Sequence, residues 1–162
     1  MKFILFSLAI INFVLPCSAS ETLASTADRQ LWIENLPDAV AAEFEGCSCS
    51  FSSRTNDSST AIAWNYGEES PKAAMRINGR TERLTFVGEK SYPKRSSNQE
   101  PQMGDTTEYK FADGSTSTTL NCKVSQTCWK EPGCEYIGYG CSAKVLSAGR
   151  RVTFPVVGGC GC

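Results

Sequence analysis

Residues 73–87, A-A-M-R-I-N-G-R-T-E-R-L-T-F-V, alternate between apolar and polar positions on either side of Asn78-Gly79. A period of two puts alternate side chains on one face of a strand. Asn-Gly suits the two central positions of a type I′ turn, where both residues need positive φ. Together these signals predict one hairpin, with Ile77 opposite Arg80, Met75 opposite Glu82 and Ala73 opposite Leu84. Met75, Ile77, Leu84 and Phe86 then share one face, and Arg76, Thr81, Arg83 and Thr85 share the other.

The same period recurs along the chain. T-A-I-A-W-N-Y (60–66) places Ile62, Trp64 and Tyr66 on one face. Further strands are predicted near 105–111, 115–124, 134–146 and 150–157. Within them Leu120, Cys122 and Val124 alternate, as do Val152, Phe154 and Val156. Ala112-Asp113-Gly114 and Ala148-Gly149 supply turns. Short strands with turns between them predict a mainly β fold, an antiparallel sandwich or small barrel over residues 47–162.

Residues 21–46 read differently, as one N-terminal helical segment. In N-L-P-D-A-V-A-A-E-F-E-G (35–46), Asn35 can cap, Pro37 and Asp38 suit the first turn, and Gly46 suits the stop. Leu36, Val40 and Phe44 form a stripe expected to lie on the domain. Residues 88–104, G-E-K-S-Y-P-K-R-S-S-N-Q-E-P-Q-M-G, are polar and predict a long loop.

Ahead of this lies a leader, residues 1–20. Lys2 precedes an apolar run (3–15) too short to span a bilayer, and S-A-S (18–20) suits signal peptidase. Cleavage after Ser20 removes Cys17 and leaves Cys47, Cys49, Cys122, Cys128, Cys134, Cys141, Cys160 and Cys162. An even set in an exported chain reads as a disulfide framework in an oxidising compartment, periplasmic or secreted.

Strand geometry narrows the pairing. Cys47 and Cys49 point one way, as do Cys160 and Cys162, so each C-x-C should find partners in the other. Antiparallel strands join Cys47 to Cys162 and Cys49 to Cys160, whereas parallel strands exchange the partners. Cys128 and Cys134 can clip a hairpin at W-K-E-P-G, which leaves Cys122 for Cys141 with a bulge at Gly138 or Gly140. Zinc is the rival use of C-x-C. Export and the lack of paired C-x-x-C spacing favour bridges.

Charge and composition exclude more than they assign. Removing the leader leaves 15 Lys plus Arg against 17 Asp plus Glu, which gives no reason to expect nucleic acid or a strongly anionic membrane as a partner, and the short apolar run predicts no stable membrane insertion. There is no histidine, so Ser-His-Asp and Cys-His machinery is ruled out. A carboxylate pair or a Ser–Lys arrangement survives, but Asp57, Glu68, Glu69, Glu89, Asp113 and Glu131 fall in predicted turns. The expectation is a non-enzymatic domain without a cofactor.

C-S-F (49–51), I-N-G-R (77–80), G-D (104–105), G-Y-G-C-S-A-K-V (138–145) and terminal G-G-C-G-C resemble landmarks of a bacterial family of small exported β-proteins, over roughly residues 46–162. That family has no assigned activity, so the resemblance carries over no functional residue. The layout is similar, more loosely, to periplasmic lysozyme inhibitors, which are exported, disulfide-closed barrels. That resemblance implies binding of a protein partner, as by a hydrolase inhibitor or immunity-type factor. The alternative is a cell-wall or glycan-binding module using Trp129, Tyr92 and Tyr139, and a carboxylate hydrolase comes third. The partner site is expected on the 88–104 loop and the nearby hairpin tip, at Lys90, Tyr92, Lys94, Arg95 and Trp129.

Overall fold

A computed structural model describes residues 30–53, 59–65, 71–94, 101–128 and 131–162. The leader, Arg95, Trp129, Tyr66, Asp57, Glu68 and Glu69 lie outside the described residues. Nine strands form one antiparallel sheet: β1 (Ile33–Glu34), β2 (Ser48–Ser52), β3 (Ile62–Asn65), β4 (Lys72–Ile77), β5 (Arg80–Tyr92), β6 (Thr106–Asp113), β7 (Thr116–Thr127), β8 (Tyr136–Ser147) and β9 (Arg150–Gly161). The order is β4-β3-β2-β9-β8-β7-β6-β5, and β5 returns to β4, so eight strands close into a barrel. The short β1 pairs with β4 just past the end of β3.

The hairpin has the predicted register, with Ile77 opposite Arg80, Met75 opposite Glu82 and Ala73 opposite Leu84. Asn78 and Gly79 both have positive φ, 49° and 80°, as a type I′ turn requires. Inward-facing residues make a packed core. Phe51 stacks on Trp64 with centroids 5.1 Å apart, and Trp64 meets Tyr109 and Phe111 at 5.3 and 5.2 Å. Thr118 is buried there, and its hydroxyl donates to Met75 Sδ at 3.1 Å. Outward rows carry Lys110, Lys123 and Lys144, the reverse of a lipid-facing barrel. No helix among the described residues is long and apolar enough to cross a membrane.

All eight cysteines among the described residues bridge: Cys47–Cys162, Cys49–Cys160, Cys122–Cys141 and Cys128–Cys134. The antiparallel choice follows because β2 and β9 run antiparallel, with Cys49 opposite Cys160. No thiolate of this set remains as a zinc ligand. Four bridges are consistent with an oxidising compartment. The expected bulge lies elsewhere. The register shifts between Val124 and Gln126 on β7, not at Gly138 or Gly140 on β8, so Ser125 is the extra residue. The terminal glycines have separate tasks. Gly158 sits where β9 approaches the β2 backbone, and a Cβ there would collide with the Ser50 carbonyl oxygen. On the outside, Tyr136 lies over Gly159, where a Cβ would come within 2.5 Å of its ring.

Over its described part, residues 30–46, the N-terminal segment is only partly helical. An α-turn, α1 (Asp38–Ala41), runs into a 3-10 turn at Ala42–Phe44. The cap is Pro37, two residues after Asn35, because residues 30–36 are held extended along the barrel. The backbones of Trp32 and Asn78 meet at 3.1 Å, and Leu36 N–H donates to Thr60 O at 2.6 Å. Leu36, Val40 and Phe44 do form a stripe, and it packs outside the barrel on Ala63 and Ala74. Alanine at those outward positions leaves room for the helix.

Arg83 on the hairpin's polar face anchors this segment. Its Nη1 and Nη2 donate to Glu43 Oε2 and Oε1 at 2.6 and 2.8 Å. This paired hydrogen bond, with the charge attraction behind it, holds the Glu43 carboxyl below its ordinary range. A depressed folded pKa contributes stability above the unfolded pKa and loses it as pH falls through the folded value. Arg83→Met should therefore raise the Glu43 midpoint back toward the ordinary carboxylate range, read by carbon-detected NMR titration. The stability gap between variant and native protein should be present at neutral pH and vanish in strong acid. An unmoved midpoint would show the pair to be open in solution.

Candidate binding surface

The barrel's two rims differ. One is closed by the two-residue turns at 78–79, 114–115 and 148–149, together with the chain leaving β2. The other gathers the Cys47–Cys162 bridge, the 128–134 hairpin tip and the connection from β5 to β6. Long connections at one rim of a cross-linked barrel make that rim the place to look for binding.

The expected 88–104 loop is shorter than its polarity implied. Residues 88–92 continue β5 and pair with β6, Gly88 opposite Lys110 through Tyr92 opposite Thr106. Polar residues suit a strand here because the outer face meets water and the inner face has reached the barrel mouth. A shift between Phe86 and Gly88 lets the strand change direction there.

Lys90 and Tyr92 consequently sit on a paired strand rather than a loop, and Lys94 follows, exposed, after the bend at Pro93. Register sets Tyr92, Thr106 and Lys123 in one outward row and Lys90, Glu108 and Asn121 in the next. These six residues line an open depression of about 410 Å³. A second, of about 460 Å³, shares Lys90 and Tyr92 and adds Lys94. Of the five proposed partner-binding residues, the structure thus joins Lys90, Tyr92 and Lys94. Arg95 and Trp129 lie outside the described residues.

Sequence reasoning missed Thr106, Glu108, Asn121 and Lys123. Their outward alternation with Thr107, Tyr109, Leu120 and Cys122 was readable, but not the register that brings them beside β5. Glu108 carries an ion pair to Lys110 at 2.9 Å, which leaves Lys90 without a carboxylate at salt-bridge distance among the described residues. Tyr92 is 60% exposed. The surface therefore offers cationic and aromatic groups with hydroxyl and amide hydrogen-bonding groups between them. It suits a partner surface bearing carboxylates.

One expectation about another residue changes. Tyr139, assigned to an exposed glycan platform, is buried inside the barrel, where Tyr109 O–H donates to its hydroxyl at 3.4 Å. Glu82 is half-buried opposite Met75, and Asp113 sits at the far rim from Glu89 and Glu131. Among the described residues, no three His, Cys, Asp or Glu side chains cluster as a metal site. Fold and surface together define a small, disulfide-closed, eight-stranded antiparallel barrel with a basic, aromatic patch near one rim. No protein-family description, curated protein or solved structure matches the chain.

Proposed function

We propose that this chain is an exported, non-enzymatic domain, periplasmic or secreted, that binds a protein partner through the outer face of β5, β6 and β7. A hydrolase inhibitor or immunity-type factor is the kind of protein meant. The observation that carries this reading is the convergence of Lys90, Tyr92 and Lys123 on one open surface of a cross-linked sheet. A rigid surface gives up little conformational freedom on binding, and Tyr is enriched where binding energy concentrates. The leader and the four bridges support export. A glycan-binding role has lost Tyr139 from its aromatic set, and the candidate acids among the described residues are dispersed and give little support to carboxylate hydrolysis.

The test is charge reversal. Lys90→Glu combined with Lys123→Glu should weaken a purified partner, first identified by capture on the native chain, about tenfold or more. The loss should lie largely in the association rate and shrink at high salt, since surface charges act through screened fields. Unchanged affinity would remove this face from the interface. Retention on insoluble glycan that Tyr92→Ala abolishes would favour the glycan module instead.

A further inference from the structure

The barrel closes over only part of β5. Arg80–Thr85 pair with β4, and Phe86 N–H donates to Pro71 O at 3.0 Å. From Gly88 to Tyr92 the strand pairs with β6 alone, and among the described residues no strand lies along its other edge. Glu89, Lys90, Ser91 and Tyr92 are all exposed, although alternate residues point to opposite faces. Val87, at the start of this edge, is 64% exposed. The register shift after Phe86 and the bend at Pro93 bound the edge at five residues, the length of an ordinary short strand.

We propose that the Gly88–Tyr92 edge binds an extended segment of the partner protein as an added antiparallel strand. This deepens the protein-binding reading above and rests on it. An unpaired strand edge presents a row of backbone donors and acceptors, and strand addition uses them for affinity while side chains supply selectivity. The edge's own charges argue against a second copy of this chain as the occupant. A two-fold antiparallel pairing sets one residue opposite its own copy. The register using all five residues opposes Lys90 to Lys90, and one neighbouring register opposes Glu89 to Glu89; the other, centred on Ser91, sets Glu89 against Pro93, which has no N–H to give, and keeps fewer backbone pairs. Like charges directly opposite are unfavourable.

A foreign strand escapes that conflict and has its chemistry specified. Opposite Tyr92, an apolar side chain continues the outer face. Two residues later, opposite Lys90, a carboxylate meets an ammonium that Glu108 does not pair, because Glu108 is held by Lys110. The next residue, opposite Glu89 on the inner face, is basic. Read from its N-terminus the segment is apolar, polar, acidic, basic.

The probe is a blocked peptide centred on Ile-Thr-Glu-Lys, titrated into the full, disulfide-bonded, 15N-labelled chain. Amide shifts should concentrate on Gly88–Tyr92. Two N-methylated versions, blocked at alternate amides, should differ about tenfold or more in affinity, because only one set faces the edge. The peptide with Lys in place of Glu should bind the native chain poorly and recover on Lys90→Glu. Equal affinities of the two methylated forms, or unmoved Gly88–Tyr92 amides at millimolar peptide, would overturn strand addition. The two readings fail separately. If Lys123→Glu weakens the purified partner while the peptide leaves the edge unmoved, the outer face binds by another mode. If the peptide behaves as expected while charge reversal leaves the partner unaffected, the edge stands and the outer face does not.

Discussion

Removing both terminal bridges, by Cys47, Cys49, Cys160 and Cys162→Ser, is expected to cost about 4–5 kcal/mol of stability. The bridges span 115 and 111 residues and join the two ends of the barrel chain, β2 to β9. In the chain-entropy account, a bridge stabilises by denying the unfolded chain the freedom of its ends, and the cost grows only slowly with loop length. The second bridge closes nearly the same loop as the first, so it adds little of that term. Losing Cys47–Cys162 alone should therefore cost far less than half of the fourfold change. Losing Cys49–Cys160 alone should cost more, because Cys49 and Cys160 are 0% and 3% exposed and their removal also leaves a polar or empty site in the core. Equilibrium urea unfolding of the three variants separates these cases through the midpoint and the slope. If the exposed pair alone accounts for the whole fourfold loss, the shared-loop explanation is wrong.

Gly158→Ala is expected to destabilise by about 3 kcal/mol, with a fall in Tm of about 10 °C. The Cβ would strike the Ser50 carbonyl oxygen and approach the Phe51 Cα at 2.7 Å. Those are backbone atoms of a strand tied to β9 by its ladder and by Cys49–Cys160, so neither can rotate out of the way. Gly140→Ala is the matched control. It also lies in the sheet's glycine-rich region, but an added Cβ there meets nothing within 4 Å. It should stay within about 0.5 kcal/mol of the native protein. Thermal unfolding of both variants under non-reducing conditions makes the comparison. Equal Tm values would mean that β2 and β9 are farther apart than described.

The two glycine positions show where local reading stops. Both sit in strands, both lack a side chain, and nothing in G-Y-G-C or V-G-G-C distinguishes them. Only the spacing between β9 and β2, strands separated by most of the domain, makes one intolerant and the other permissive. The same limit explains the misplaced bulge. The offset between the Cys128–Cys134 clip and Cys122–Cys141 announces one extra residue, and glycine is the residue expected to host it. Yet the shift falls at Ser125, on the opposite strand.

Much of this molecule was determined by neighbouring residues alone. Asn78-Gly79 and the alternation around it set a hairpin register that the barrel keeps, because turn chemistry and period-two burial act within one hairpin. Residues two apart on a strand face the same way, so each C-x-C had to find its partners elsewhere, and two such pairs on facing strands fit each other. Tertiary structure alone decided that β2 and β9 run antiparallel, that β5 closes on β4 and then outruns it, and that Asn121 and Lys123 stand beside Lys90 and Tyr92. Polar side chains suit a solvated strand and a loop equally, so 88–92 carried no local mark of its pairing with β6. Those pairings join residues far apart in the chain, and their energy comes from contacts that exist only once the barrel has closed.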